Sequence, residues 1–296
     1  MQRKTAADFH PEVLKLFDKY VHGVIDRRGF LNDVAKYAVG GVTASMLLEA
    51  LSPRFAQAQQ VAKDDKRISA QYVEFASPEG YGKVRAYLVR PANATGKLPG
   101  ILVVHENRGL NPHIEDIARR IALDNFIALA PDELFTVGGY PGDEDKAREL
   151  FAKLDQTKAR ADFVASANYL KALPECTGKI GAVGFCYGGG IVNMLATKLP
   201  ELAAAVPFYG VQPSAEDTAK IKAPLLIQYA DNDERINAGW PAYEAALKSA
   251  GVKYEMFKYP KTEHGFNNDT TPRYDEGAAK LAWQRTMAFF NKNLRA

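Results

Sequence analysis

The chain has 296 residues, 47% hydrophobic and 25% charged, enough apolar content for one large core or two small ones. Its net charge of +3 divides into +2 over residues 1–58, where eight Lys/Arg meet six Asp/Glu, and +1 over the rest, so no broad basic surface marks it for nucleic acid. Two cysteines, Cys176 and Cys186, exclude a disulfide framework, and the five histidines (His10, His22, His105, His113, His264) are scattered without metal-ligand spacing, so the sequence asks for no metal or cofactor.

The first element reads as an address. Paired Arg27 and Arg28 precede Phe30 and Leu31, then comes a moderately apolar run, then Ala56-Gln57-Ala58, the order of positive region, apolar region and small-residue cleavage site. Lys36 and Glu49 interrupt the run, so it falls short of the about twenty apolar residues of a stable membrane span. It is similar to a twin-arginine export signal over residues 1–58, followed by a linker over 59–70. That likeness implies the export machinery as a partner and a periplasmic or secreted protein, or a cytoplasmic one if the signal is not used. The alternative is an amphipathic N-terminal segment that docks on the domain.

From residue 71 to 296 short β-rich runs alternate with helical patterns, which predicts an α/β domain with a mostly parallel sheet covered on both faces. "QYVEFAS" and "KVRAYLVR" predict an antiparallel hairpin, and "GILVVH" a buried central strand. Ile114, Ile117, Ala118 and Ile121 recur at helical spacing before the strand "FIALAP", and one long helical region spans about Glu144 to Leu173. "KIGAVGF" predicts a strand, followed by a helix to about Lys198. "AAAVPFYG", "APLLIQYA" and "KYEMFKYP" predict three more strands, with helices near 242–250 and 275–293.

Gly184-Phe185-Cys186-Tyr187-Gly188 stands where a strand turns into a helix, the context of a nucleophile elbow. Small flanking residues permit the strained backbone of such a turn, and a helix N-terminus favours a thiolate over a thiol. The P-loop lysine and the GxGxxG spacing of nucleotide sites are both missing. Downstream, "YADNDERI" follows one predicted strand and "KTEHGFNND" the next, so nucleophile, acid and histidine occur in the chain order of α/β-hydrolases. Cys186 and His264 are therefore candidate catalytic residues. Two aspartates compete as the acid: Asp233 fits the usual spacing, with Asp231 as the alternative nearer the strand end.

With "GFCYGGG", the "HGF" around His264, "APDEL" and the glutamate of "VVHENRG", the chain resembles the dienelactone hydrolase family of α/β-hydrolases over about Val73 to Leu294. The resemblance implies that Cys186, His264 and Asp233 form a triad that opens an ester or lactone of a small molecule through a thioester. It implies an oxyanion hole of the Tyr187 and Asn107 backbone N–H groups, and Glu106 beside the resting thiol. Tyr140, Tyr209, Trp240, Phe266 and Asn268 lie in loops or turns near strand ends as candidate pocket residues. Where characterised members hold a substrate carboxylate with two arginines, this chain has Asn268 and a position near Glu144, with Arg108, Lys146, Arg148 and Arg273 as possible replacements. A catalytically idle ligand-binding or stress protein on the same fold is the alternative function.

Overall fold

The computed structural model describes residues 4–295. Its N-terminal part contains four short helices, α1 (Pro11–Val21), α2 (Arg27–Val34), α3 (Ala44–Leu51) and α4 (Phe55–Ala58). The first three each begin at a side chain that accepts a first-turn N–H: His10, Asp26 and Thr43. Their apolar faces meet in a small core of their own, built around Val13, Phe17, Tyr20, Phe30, Val34 and Leu51. The arginine pair thus opens a helix: Arg27 pairs with Asp145 of the main domain at 3.1 Å, and Phe30 is fully buried. This is the docked arrangement that the amphipathic pattern allows. Among the described residues no helix is long and apolar enough to cross a membrane.

The main domain is an eight-stranded sheet: β1 (Ile68–Ser77), β2 (Gly82–Pro91), β3 (Leu98–Val104), β4 (Ile127–Pro131), β5 (Cys176–Phe185), β6 (Ala204–Phe208), β7 (Leu225–Ala230) and β8 (Tyr254–Tyr259). The strand order is β1-β2-β4-β3-β5-β6-β7-β8; β2 pairs antiparallel with β1 and β4, and the remaining pairs are parallel. The helices are α5 (Pro112–Leu123), α6 (Glu144–Phe151), α7 (Gln156–Ala172), α8 (Tyr187–Lys198), α9 (Ala215–Thr218), α10 (Glu234–Asn237), α11 (Trp240–Ser249) and α12 (Glu276–Leu294). One core gathers apolar residues of α5 and α12 against the sheet, the other those of α7, α8 and α11. The central strands β3, β5, β6 and β7 are almost wholly buried, as their unbroken apolar runs require.

Two local expectations shift. β1 starts at Ile68 rather than residue 71, because the buried Ile68 pairs with Pro91 and lengthens the hairpin. The single helical region expected over 144–173 is two helices: the Asp155 carboxylate accepts from the N–H groups of Thr157 and Lys158 at 2.8 and 3.3 Å and starts α7 afresh. Residues 59–70 run along the domain, where the Gln60 and Val61 N–H groups donate to Asp116 at 3.1 and 2.9 Å.

Candidate active site

The parallel strands all end on one side, and there the sheet carries its chemistry. β5 ends at Phe185 and α8 begins at Tyr187, leaving Cys186 between them at φ 56° and ψ −112°. A residue other than glycine held at positive φ costs on the order of 1–3 kcal/mol and persists only where its surroundings impose it. Here they do. A Cβ on Gly184 would strike the Gly188 carbonyl, one on Gly188 the Val104 carbonyl, and one on Gly189 the Phe208 carbonyl. The Cys186 N–H donates to the Phe208 carbonyl at 3.1 Å, which fixes the turn against β6. Its thiol is left half-buried at the start of α8.

The loop after β8 delivers His264, and the turn after β7 delivers Asp233. His264 Nδ1 lies 2.5 Å from Asp233 Oδ2, with both groups buried. The other oxygen of Asp233 accepts from the Ile236 N–H at 3.2 Å, so the carboxylate also caps α10 and cannot swing away. Asp231 does not join them: its Oδ2 accepts from the Lys261 N–H at 3.3 Å and its Oδ1 pairs with Lys258 at 3.4 Å.

The N-terminal segment adds a residue that the sequence reading missed. His22, at the end of α1, places Nε2 3.3 Å from Cys186 Sγ and its ring 4.8 Å from that of His264. One ligand-type atom from each of His22, Cys186 and His264 lies within 4.8 Å of the others, so this trio is where a soft metal ion could be held. Nothing local to His22 signals the role, because it is 164 residues from Cys186 in a stretch that reads as an export address. Burial pushes the Cys186 thiol up, but the His22 and His264 imidazoles beside it outweigh that and hold it down at about 5. Burial likewise opposes charge on His264, which the Cys186 sulfur and Asp233 overcome to raise it to about 10.

The other expected residues are spread over two cavities. A cleft of about 1400 Å³ is lined by Asn107, Cys186, Tyr187 and Tyr209, with His22 at its wall. A smaller cavity of about 340 Å³ holds Glu106, Tyr140 and Asn268 together with Cys186 and His264. Glu106 accepts from Asn268 Nδ2 at 2.9 Å, while the thiol is met by His22. Tyr209 is buried with its ring 4.8 Å from His264. Phe266 is fully buried against Tyr209, Phe208 and Tyr259, and Trp240 packs edge-on against Tyr229, Tyr243 and Tyr254, so neither lines these two cavities. Of the replacement cations, Arg108 pairs with Glu144 at 3.5 Å, Arg148 with Asp145 at 3.4 Å and Arg273 with Asp18 at 3.5 Å.

Beneath Tyr187 lies an unusual acid. Glu133 is buried with no hydrogen-bond partner for either carboxyl oxygen, and burial, then Asp162 and Asp132, push it up to about 9. The folded chain therefore keeps a proton that the unfolded chain releases near pH 4.5. Stability from this group is complete below that value and is lost as pH rises toward 9, by up to about 1.4 kcal/mol per pH unit. Glu133→Gln, neutral throughout, is expected to flatten that decline. Thermal melts at pH 5 and pH 9 check it: the variant should gain on the wild type only at the higher pH.

Comparison with known proteins places the chain in a family. Residues 84–294 match the model of the Dienelactone hydrolase family, and residues 1–39 match a second model, described as YqhI-like. The Escherichia coli K12 protein named "Putative hydrolase fragment YghX" is 55% identical over 116 residues, 39% of this chain and 99% of its own. The "Putative carboxymethylenebutenolidase" of Salmonella typhi is 34% identical over 220 residues, covering 69% of this chain and 81% of that one. A crystal structure named "Putative Dienelactone Hydrolase" from Klebsiella pneumoniae superposes with a TM-score of 0.67 at 32% identity, over 76% of this chain and 99% of the other. With a mostly parallel sheet flanked by helices and a family match over 84–294, the chain has an α/β-hydrolase fold and belongs to the dienelactone hydrolase family.

Proposed function

We propose that the protein hydrolyses an ester or enol lactone of a small molecule through a thioester on Cys186, with His264 and Asp233 as the proton-handling pair. One observation carries the reading: a thiol on a strained strand-to-helix turn, lowered to about 5, beside a buried His264–Asp233 pair at 2.5 Å. In this reading the thiolate attacks the carbonyl, and the Tyr187 and Asn107 backbone N–H groups receive the developing oxyanion. Sulfur is itself a good leaving group, so its adduct reverts unless the substrate's oxygen departs more readily. Enol lactones and activated esters meet that condition better than amides do. Phe75, Val164, Tyr169 and Met194 in the large cleft suit an apolar substrate body.

The test is to trap the intermediate. Rapid mixing with p-nitrophenyl acetate followed by acid quench and peptide mass spectrometry is expected to find an acetyl group on the Cys186 peptide alone. Absence of the adduct during turnover would send the reading to another nucleophile, and absence of turnover to a ligand-binding role on the same fold.

The thiol itself makes a pH prediction. Iodoacetamide should alkylate Cys186 at a rate that is nearly flat from about pH 6.5 to 8.5 and falls about tenfold per unit below pH 5. An ordinary thiol would instead gain about tenfold per unit up to about pH 8.5.

The segment carrying Arg27 and Arg28 supports a second use, as a twin-arginine export address that leads the chain to the periplasm or beyond. N-terminal sequencing of protein from fractionated cells decides it. A mature start near Gln59 supports export and cleavage, and a start near Met1 supports retention of the docked segment.

A further inference from the structure

We propose that His22, held by Asp18, is a second catalytic histidine, which takes the Cys186 proton and passes it to the departing alcohol while His264 activates water. The inference rests on the reading of Cys186 as nucleophile and adds to it a group from outside the hydrolase domain.

The tautomer of His22 is settled by its neighbours. Nδ1 lies 2.7 Å from the Asp18 carbonyl oxygen, which can only accept, so Nδ1 carries the hydrogen and Nε2 offers its lone pair to the sulfur 3.3 Å away. Behind Nδ1 stands the Asp18 carboxylate at 3.3 Å, itself paired with Arg273 at 3.5 Å. His22 also caps the C-terminus of the eleven-residue α1, where the helix dipole favours a cation. Asp18, His22 and the sulfur thus line up on this side, with Nδ1 on the Asp18 carbonyl, across from the Asp233–His264 pair.

The groups facing His22 bracket its basicity. Asp18 comes from its own helix, Cys186 from the elbow and His264 from the loop after β8. From α10, Arg235 Nη2 lies 3.1 Å from Nε2, donates onto the neutral ring and opposes its protonation. Against it stand the Asp18 carboxylate 3.3 Å from Nδ1 and the sulfur 3.3 Å from Nε2, both of which favour the charged ring. There is one thiol proton for two imidazoles whose rings are 4.8 Å apart, so like-charge repulsion keeps the charge on one of them.

That single proton permits a division of labour. The Sγ proton passes to His22 Nε2 to leave the thiolate, whose lone pair forms the S–C bond as the carbonyl π pair moves to oxygen. The adduct collapses, the C–O bond breaks, and the alkoxide takes the proton from His22. Acylation removes the sulfur charge that raises His264, so its neutral ring then removes a proton from water; the hydroxyl attacks the thioester, the C–S bond breaks, and His264 returns the proton to sulfur. The sum is ester plus water giving acid plus alcohol. The segment is held for this task by contacts on either side of His22: Arg148 donates to the Tyr20 carbonyl at 2.7 Å, and Asn107 and Arg108 donate to that of Val21 at 2.9 and 3.1 Å.

Stopped-flow hydrolysis of p-nitrophenyl acetate by full-length wild type, His22→Gln and Asp18→Asn separates the two half-reactions. His22→Gln is expected to slow the burst by about 10- to 100-fold, within the usual worth of a general base. The deacylation rate should stay within about threefold, and Asp18→Asn should move the burst the same way by less. A second readout needs no turnover: the pH midpoint of iodoacetamide alkylation at Cys186 should rise by about one unit or more in His22→Gln. A wild-type burst and midpoint in both variants overturns the proposal, as does equal slowing of both half-reactions or a faster enzyme, the mark of a mere plug. Cys186→Ala that still turns over overturns the underlying reading instead, while the alkylation midpoint continues to report on His22.

Discussion

Replacing Cys186 with alanine is expected to lower kcat/KM for p-nitrophenyl acetate by about 10⁴-fold or more, with the fold intact. Removing the proposed nucleophile would leave only what binding and the oxyanion donors contribute, because the other members of such a unit would have nothing left to activate. The turn itself should survive. Its geometry is imposed by the close approaches of Gly184, Gly188 and Gly189 to neighbouring carbonyls and by the Cys186 N–H bond to Phe208, none of which involves the sulfur. Steady-state assays with far-UV circular dichroism of both proteins check this. Turnover preserved in the alanine protein would remove Cys186 from the chemistry.

Asp233→Asn is expected to cost about 10²- to 10⁴-fold in kcat, and Asp231→Asn less than about twofold. The contrast isolates a tautomer effect. Asparagine at 233 can still accept from the Ile236 N–H and cap α10, but its amide can offer N–H to His264 Nδ1 and favour the ring form whose Nε2 carries the hydrogen. That form cannot take a proton. Asp231 is exposed and bound to Lys258 and the Lys261 N–H, so its loss touches only a surface loop. Equal losses in the two variants would move the acid's role off Asp233.

The parts of the site that could be read from the chain were those set by local rules. Glycines around Cys186 mark a turn with no room for side chains, and apolar runs before Asp233 and His264 mark the strands that deliver them. Helix breaks were harder: nothing in the periodicity distinguishes one helix over 144–173 from two, and only the Asp155 cap does so. Aromatic residues near strand ends gave no hint of direction, which is why Trp240 faces Tyr229 and Tyr243 and Tyr209 lines the cleft. His22 was invisible for a different reason. Its neighbours Val21 and Gly23 carry no chemistry, and its partners are supplied by α1, the elbow and α10 at once.

Under the proposed export reading, the burial of Phe30 would set folding and secretion in competition for the same residues. A receptor that reads Arg27, Arg28, Phe30 and Leu31 as an extended peptide has to unwind α2, free Arg27 from Asp145 and draw Phe30 out of its small core. Exposing that ring alone costs about 1.5–3 kcal/mol. Recognition would therefore favour a chain whose first helices have not yet settled, and the time between synthesis and docking becomes a window that Phe30→Ala would lengthen.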